Sequence, residues 1–209
     1  VINYDRINVP GIMAAKLWIK GGSGNDPNGK KGIHQLLGSL LSRGCGPLNN
    51  IDLANLVEGS GATIRCETYE DGILIGLKCS RKDSDKLIPL LGWMVNRPHF
   101  DAKQLDLEKE LSIQALKRQN ESPFLVAYDK WRKAAYQNGP YAYDPLGMES
   151  DIKTVEREDL VKLSKSTKEK EKFLILAGDI GKKQIEIIKE FESFNDFTFS
   201  PANKNLGEN

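Results

Sequence analysis

The sequence predicts an α+β fold in which helices pack on a largely antiparallel sheet. Two β-like segments, 62–69 and 72–79, meet at the turn-forming Glu70-Asp71-Gly72, which indicates a β-hairpin. Helical segments then follow one another up to a closing strand, and this grouping of elements favours an α+β layer. A hydrophobic content of 39% over 209 residues is sufficient for the core of such a domain.

A clean apolar stripe indicates the first helix, which is predicted over Lys31–Arg43. Its apolar residues recur at i, i+3, i+4, i+7 and i+8, the spacing of one helix face. Gly44, Gly46 and Pro47 end the helix, and a largely buried strand is predicted before it, over 12–20. The stripe consists of Ile33, Leu36, Leu37, Leu40 and Leu41.

The rest of the chain is predicted to form helices and one closing strand. Asp52 is a candidate helix cap, a long helix is predicted to start near Asp101, and Ser122-Pro123 is a break after which a new helix begins with proline in its first turn. The charge-rich segment 165–172 is predicted to be a solvated connection. We predict one domain over 1–200 and a tail or linker over 201–209. The predicted helices lie at 52–61, at 83–96, from 101 to the break, from 123 onward, at 154–164 and at 180–191, and the strand lies at 173–179.

The charge balance argues against nucleic acid and anionic membranes as partners, because 30 basic and 29 acidic side chains leave a formal net charge of +1. No apolar run approaches the roughly 18 residues of a membrane span, and the first residues lack the features of a signal peptide. Cys45, Cys66 and Cys79 are an odd number without C-x-x-C spacing. We therefore expect buried, inert thiols rather than a disulfide framework or a thiolate zinc site.

The order of several segments carries a family resemblance. A strand leads into KGGSGNDPNGKKG, a helix follows, and Ser42-Arg43-Gly44 closes that helix. VEGSGATIRCETYEDGILIGLKC, NRPHFDAKQLDLEKEL, GPYAYDPLG and FLILAGDI then come in this order. The arrangement resembles the insulinase, pitrilysin and mitochondrial processing peptidase family of zinc peptidases, the inverzincins, which bind zinc on an inverted H-x-x-E-H helix. The resemblance implies a LuxS-like and processing-peptidase-like metallohydrolase fold.

In this frame the zinc-binding pentad falls on QLLGS, residues 35–39, and its chemistry is lost. Two histidines four residues apart share one helix face and can both bind zinc, while the glutamate between them activates the attacking water. The chain has Gln35, Gly38 and Ser39 at those three positions. A pentad that starts at His34 is HQLLG, which also lacks the glutamate and the second histidine.

The third family ligand, a glutamate on the long helix, falls on Ala115. Glu108 matches a second glutamate of the family and lies seven residues earlier, about two helical turns, so both positions share a helix face. The upstream acid is retained and the ligand is lost. We therefore expect that this chain binds neither zinc nor another cofactor and that any zinc is bound by an active partner.

Ordinary structural roles compete with functional roles at several of these residues. His34 could be a residual metal ligand, but a surface or partner-contacting histidine is the simpler interpretation. Glu108 could retain a catalytic role, but a surface carboxylate paired with a lysine is simpler. Ser39 lacks a base that would make it a nucleophile. The tyrosines of one loop could touch peptide, although packing of the loop on the sheet is simpler; these are Tyr136, Tyr141 and Tyr143.

One activity of the family does not need zinc. The resemblance implies that a substrate peptide adds as a strand to the sheet edge along the first strand of the hairpin. Because this mode uses main-chain groups, it can survive the loss of catalysis. The candidate peptide-binding residues are Ala62, Thr63, Ile64, Arg65, Cys66, Glu67 and Thr68.

The resemblance implies a catalytically inactive domain that pairs with a homologous H-x-x-E-H domain or subunit. Together they would form a peptidase chamber and handle a peptide substrate, and the chain matches one half of the family's usual two-domain subunit. Two alternatives stay open. One is a structural subunit of a larger complex with no proteolytic role, and the other is a metallopeptidase with unusual ligands.

Overall fold

Strands at both ends of the chain enclose a run of helices in the computed structural model, which describes residues 2–5, 10–137, 139–191 and 199–201. The strands are β1 (Ile2–Asp5), β2 (Ile12–Lys20), β3 (Thr63–Thr68), β4 (Gly72–Ser80), β5 (Lys172–Gly178) and β6 (Phe199–Pro201). The helices are α1 (Ile33–Leu41), α2 (Asn50–Gly59), α3 (Ser84–Asn96), α4 (Ala102–Asn120), α5 (Pro123–Tyr136), α6 (Glu149–Thr154), α7 (Arg157–Lys168) and α8 (Lys182–Lys189). Short 3-10 turns cover Ser23–Asn25 and Arg81–Asp83.

The strands form one sheet in the order β3-β4-β2-β5-β1-β6. Pairing is antiparallel from β3 to β5, and β1 and β6 then add in parallel. The predicted α+β fold with a mostly antiparallel sheet is therefore confirmed. The sequence did not predict β1 and β6, because strands this short give no periodic signal and depend on a distant partner strand.

The core lies between the helices and one face of the sheet. Every second residue of β2, such as Met13 and Leu17, is fully buried, whereas the residues between them face the other side of the sheet. The leucines of the predicted α1 stripe are also buried, Leu36 completely. Apolar burial on both layers is the main stabilising term, at roughly 25 cal/mol per Å² removed from water.

Local capping signals placed several helix boundaries correctly. Asp101 caps α4 by accepting hydrogen bonds from two backbone N–H groups, and Ser122 caps α5 ahead of Pro123. The prediction that Asp52 caps α2 was wrong. Asn49 performs that role, so α2 begins two residues earlier and Asp52 lies in its first turn.

The region 154–172 differs from its prediction in two ways. The helix predicted over 154–164 is α7, which begins three residues later because Val155 is extended and fully buried and Glu156 starts the helix with a capping box; α6, which ends at Thr154, was not predicted. The predicted solvated connection over 165–172 instead completes α7 and starts β5. Lys172 is buried there, and its Nζ donates to the carbonyl oxygens of Lys168 and Lys170 near the end of α7. Burial lowers the pKa of Lys172.

Pro201 is the last residue of β6, and residues 202–209 lie outside the described residues. The division into a domain over 1–200 and a tail over 201–209 therefore stays a prediction. None of the described helices combines the length and the apolarity that a membrane span requires.

The loop after α5 lies directly against the start of α1. Gly147 has φ +83°, and a Cβ there would lie 2.2 Å from the carbonyl oxygen of Lys31 and 2.3 Å from the nitrogen of Gly32. Met148 N–H also donates to the Lys31 carbonyl, at 3.3 Å. Since these contacts are with backbone, the loop reaches α1 only because residue 147 has no side chain.

Replacing Gly147 with alanine should destabilise the protein more than replacing Gly29, a matched glycine with φ +78° and no atom within 4 Å of its Cβ position. Both changes carry the left-handed strain of roughly 1–2 kcal/mol. Only Gly147→Ala adds a backbone clash, for which we expect a further loss of roughly 1–3 kcal/mol. Urea unfolding of both variants measures the difference, and equal losses would show that the close approach is unimportant.

Candidate functional site

The start of α1 is organised by the buried carboxylate of Asp26. Its oxygens accept hydrogen bonds from Gly32 N–H at 2.6 Å and His34 N–H at 3.2 Å, so the carboxylate compensates backbone donors at the positive end of the helix. The His34 ring lies on the same carboxylate, with Nδ1 2.5 Å from Oδ1. The loop before α1 therefore fixes both the helix start and the histidine.

The expectation that His34 is a surface or partner-contacting residue was wrong, because only 4% of it is exposed. The carboxylate eight residues earlier supplies a buried partner for its ring, and the apolar stripe gave no sign of this contact. His99, the other histidine of the sequence, lies with Nε2 2.7 Å from the carbonyl oxygen of Gly46. Both histidines thus take part in local structural contacts.

The pentad positions lie on α1 where the family frame predicts them, next to β3 and α4. Gln35 and Ser39 are half-buried and face each other, with Nε2 3.5 Å from Oγ. Gly38, the position predicted for the family's glutamate, is buried, and a Cβ there would lie 2.4 Å from Thr68 Oγ1. Thr68 Oγ1 donates to the His34 carbonyl at 3.2 Å. The threonine hydroxyl of β3 therefore occupies the space beside α1 that a side chain at residue 38 would enter.

Glu108 joins α4 to the end of α1. Its Oε1 accepts from Arg43 Nε at 2.7 Å and lies 2.6 Å from Nη2 of the same guanidinium. Only 5% of Glu108 is exposed, so the expected surface carboxylate paired with a lysine was wrong in both respects. Arg43 follows Ser39 by about one helical turn, which shows that the α1 side carrying Gln35 and Ser39 faces α4.

Ala115 lies farther along α4, near the opposite end of α1. Leu116 borders one groove together with Gly147, and Gly147 packs against Gly32 at the start of α1. Because Glu108 meets the other end of α1, the two helices run antiparallel and place Ala115 beside the half of α1 that carries Gln35. Ala115 itself is half-buried and has no group that could bind a metal.

These residues do not fit a zinc ion. An amide, a hydroxyl and two positions without functional groups replace two imidazoles and two carboxylates, and neutral oxygens are poor zinc ligands beside imidazole. Among the residues that the structure describes, no group of three or more His, Cys, Asp or Glu side chains is arranged to hold a metal ion. Gly38 also has no side chain that could take a proton from an attacking water.

The three thiols are not poised for metal or redox chemistry. Burial raises the pKa of Cys45 to about 12, that of Cys66 to about 12 and that of Cys79 to about 11. All three are free and remain neutral near pH 7. Cys45 and Cys79 are buried as expected, while Cys66 is half-buried on β3.

The candidate peptide-binding segment forms an edge of the sheet. Among the strands that the structure describes, β3 pairs only with β4, and its side chains alternate between exposed and half-buried. Ala62 precedes the strand and donates its N–H to Val57. Tyr69 N–H donates to Gly72 O at 2.8 Å, so by antiparallel alternation the backbone groups of Thr68, Cys66 and Ile64 point away from β4. These outward groups are available to pair with an added strand.

Sequence reasoning missed three residues that shape this site: Asp26, Arg43 and Thr68. Asp26 lies in a loop whose composition indicated only turns. Arg43 was assigned only to the closing Ser-Arg-Gly, and its partner Glu108 is 65 residues away. Thr68 was named only as a candidate peptide-binding residue, and its contact with Gly38 on α1 was missed. A small residue opposite a threonine gives no signal in a single sequence.

Replacing Gly38 with alanine tests whether Thr68 occupies the base position. Alanine is favoured over glycine inside a helix by about 1 kcal/mol, whereas overpacking a buried site costs roughly 1–3 kcal/mol. We therefore expect Gly38→Ala to destabilise the native protein and to become neutral or stabilising in a Thr68→Ala background. The test compares the free energies of unfolding of the native protein, Gly38→Ala, Thr68→Ala and the double variant. Additive effects of the two changes would contradict the prediction.

The comparisons with known proteins agree with this geometry. The family model for Insulinase (Peptidase family M16) matches residues 10–148. The chain is 23% identical over 200 residues to the zinc protease PqqE of Helicobacter pylori, covering 94% of this chain and 45% of that protein. It is also 23% identical over 145 residues to the mitochondrial-processing peptidase subunit beta of Homo sapiens, covering 69% of this chain and 30% of that protein.

A crystal structure described as a peptidase M16 inactive domain, from Pseudomonas fluorescens, has the same fold, with a TM-score of 0.79 and 21% identity over 88% of this chain and 45% of that one. The chain thus spans less than half the length of each of these three proteins. The predicted family and its peptidase-like fold are confirmed: the chain belongs to the insulinase family, peptidase family M16.

Proposed function

We propose that this chain is a catalytically inactive M16 domain, which pairs with an H-x-x-E-H domain or subunit and holds peptide for it. The main support is the contrast between scaffold and ligands. α1, α4 and β3 keep the family's arrangement, whereas Gln35, Gly38, Ser39 and Ala115 take the places of the zinc-site residues. The inactive M16 domain of similar fold and the relative named as a peptidase subunit further favour this function.

The open face of the sheet supports the pairing. The side chains of the central strands that point away from the helices include Trp18 and Phe173, both half-buried, and Ile175, which is 53% exposed. Leu74 on β4 lies on the same face, opposite Trp18 in the register. The same face carries the exposed Lys16 opposite Ile175, so its apolar side chains lie beside charged ones. An exposed apolar patch bordered by charges is a typical site for a covering element from another domain.

If the partner domain covers this face of the sheet, a charge introduced there should prevent the partner from binding. We expect affinity purification of the tagged protein from its native cells to recover an H-x-x-E-H protein, identified by mass spectrometry. The recovered complex should contain zinc and cleave peptide, whereas the chain alone should do neither. Ile175→Lys should lose the partner because a buried, unpaired ammonium is strongly unfavourable in an interface.

Ile51→Lys is the matched control for this experiment, because Ile51 is 64% exposed on α2 and lies outside the sheet. It should retain the partner. Stoichiometric zinc in the purified chain, or peptide cleavage by the chain alone, would refute the inactive function. A stable complex that contains no peptidase would instead support the structural-subunit alternative.

The free edge of β3 supports peptide binding, because its outward backbone groups need only another strand to complete the ladder. Proline at residue 66 removes one outward N–H and leaves the pairing with β4 in place. We expect Cys66→Pro to weaken binding of fluorescein-labelled casein in an anisotropy titration. Cys66→Ala loses the same thiol and keeps the N–H, so it should bind like the native protein.

Equal affinities of Cys66→Pro and Cys66→Ala would exclude strand addition at this edge. Circular dichroism and urea unfolding of both variants would confirm that the sheet is intact before their affinities are compared. The two variants thus separate the backbone donor from the side chain at one position.

A further inference from the structure

Five aromatic side chains form a continuous exposed row along α5 and the loop after it. We call this row the aromatic ladder. Its members are between 37% and 73% exposed, although large aromatic side chains normally bury most of their surface. The ladder consists of Phe124, Tyr128, Trp131, Tyr136 and Tyr141.

The rings of the ladder support one another in chain order. Successive centroids are 6.2, 5.4, 6.0 and 5.5 Å apart from Phe124 to Tyr141. Arg132 lies behind the row, with only 4% of the residue exposed, and its guanidinium is 5.7 Å from the Tyr128 ring centroid. Rings that are already held in place lose little conformational freedom when they bind a ligand.

The ladder is joined to the turn that ends β3. Arg132 Nη2 donates to Glu70 Oε1 at 2.6 Å, and Tyr141 hydroxyl donates to Asp71 Oδ1 at 2.8 Å. Both acceptors belong to the turn between β3 and β4. A peptide that pairs with β3 and continues past Thr68 therefore leaves the sheet edge at the turn to which the ladder is attached.

The dimensions of the ladder fit an extended chain. Its helical part, from Phe124 to Tyr136, covers about 18 Å of helix axis at about 1.5 Å per residue. Alternate side chains of an extended peptide point to the same side at a repeat of about 6.6 Å, close to the ring spacing of the ladder. A row one ring wide suits a single strand better than the broad face of a folded domain.

The charges around the ladder do not call for a charged ligand. Glu70 and Asp144 are both paired with Arg132, Asp129 is paired with Lys133 at 2.7 Å, and Asp71 accepts from Tyr141. Each of these carboxylates thus has a hydrogen-bond or ion-pair partner within the domain, and the exposed surface between them is aromatic.

We propose that the aromatic ladder binds aromatic and large aliphatic side chains of an extended peptide whose neighbouring segment pairs with β3. The inference rests on the proposed peptide-binding function and adds a specificity to it. The edge of β3 recognises any extended backbone, and the ladder selects the segments that carry apolar side chains beyond it.

The test measures binding of fluorescein-labelled peptides of twelve residues to the full chain. In each peptide, a strand half of six residues alternates threonine and valine. The other six residues form the tail, which carries either aromatic and leucine side chains or serine at alternate positions. Each tail is placed at either end, since an added strand can run in both directions. We expect the native protein to bind the aromatic tail at least about tenfold more tightly, a ratio that corresponds to about 1.4 kcal/mol.

The double variant Phe124→Ala/Trp131→Ala should lose this preference and retain its affinity for the serine tail. Both residues are more than half exposed, at 73% and 53%, so the fold should tolerate their removal. The control Ile51→Ala removes an equally exposed apolar side chain and should keep the preference. Cys66→Pro should weaken both peptides, because the shared strand half pairs with β3.

The outcomes separate the ladder from the edge. Cys66→Pro weakening both peptides while the ladder variant keeps its preference would overturn the ladder and leave the edge function standing. A preference that depends on the ladder but is unaffected by Cys66→Pro would overturn the proposed continuity with β3. Loss of the H-x-x-E-H partner in the ladder variant, without a peptide preference in the native protein, would assign the ladder to the partner and refute the inference.

Discussion

The close contact between α1 and β3 at Gly38 and Thr68 is the constraint on which the site depends. A helix can approach an edge strand this closely only where one of the facing residues has no side chain, because protein interiors are packed at near-crystalline density. The threonine hydroxyl fills the space and donates to the carbonyl of His34, so the contact is polar as well as steric. The position that the resemblance assigns to the family's general base is therefore part of the packing between two layers.

Two buried acids hold the two ends of α1 in place. Asp26 compensates the backbone donors at the start of α1, and Glu108 binds Arg43 at its end. A buried carboxylate without a partner would cost several kcal/mol, so each acid is tied to the group that it satisfies. Glu108 therefore has a structural reason to be present that is independent of catalysis. The presence of Glu108 near Ala115, the predicted ligand position, therefore does not require a remaining catalytic role.

Local signals predicted the parts of the fold that local interactions decide. The hairpin followed from alternation around Glu70-Asp71-Gly72, and the starts of α4 and α5 followed from Asp101 and Ser122. The short β1 was not predictable, because its pairing with β5 joins the two ends of the chain. α6 and the boundary between it and α7 were missed for a related reason, since this boundary depends on burial of Val155 against the core rather than on a glycine or proline.

The residues of the candidate site show the same difference between features that a local sequence reveals and features that depend on distant contacts. The lost ligands could be proposed from the sequence alone, because a missing imidazole is visible in one residue. It could not show that His34 is buried, since its partner Asp26 approaches from a loop, or that Arg43 meets Glu108 across 65 residues. Ring positions on α5 likewise follow helical spacing, yet their exposure depends on what packs against the helix. Residue chemistry was therefore predictable, whereas the surroundings that decide its use were not.

Catalysis and peptide binding place different demands on this scaffold, which explains how one can be lost without the other. Hydrolysis requires several side chains within a few tenths of an ångström of one geometry, so a single substitution removes it. Strand addition requires only a free, correctly oriented backbone edge, and the outward groups of β3 belong to its backbone. The aromatic ladder depends on side chains again, but on apolar area rather than on exact atoms, and such area tolerates substitution. An edge and an aromatic surface of this kind can therefore persist in a domain that does not hydrolyse peptide, because neither depends on zinc ligands.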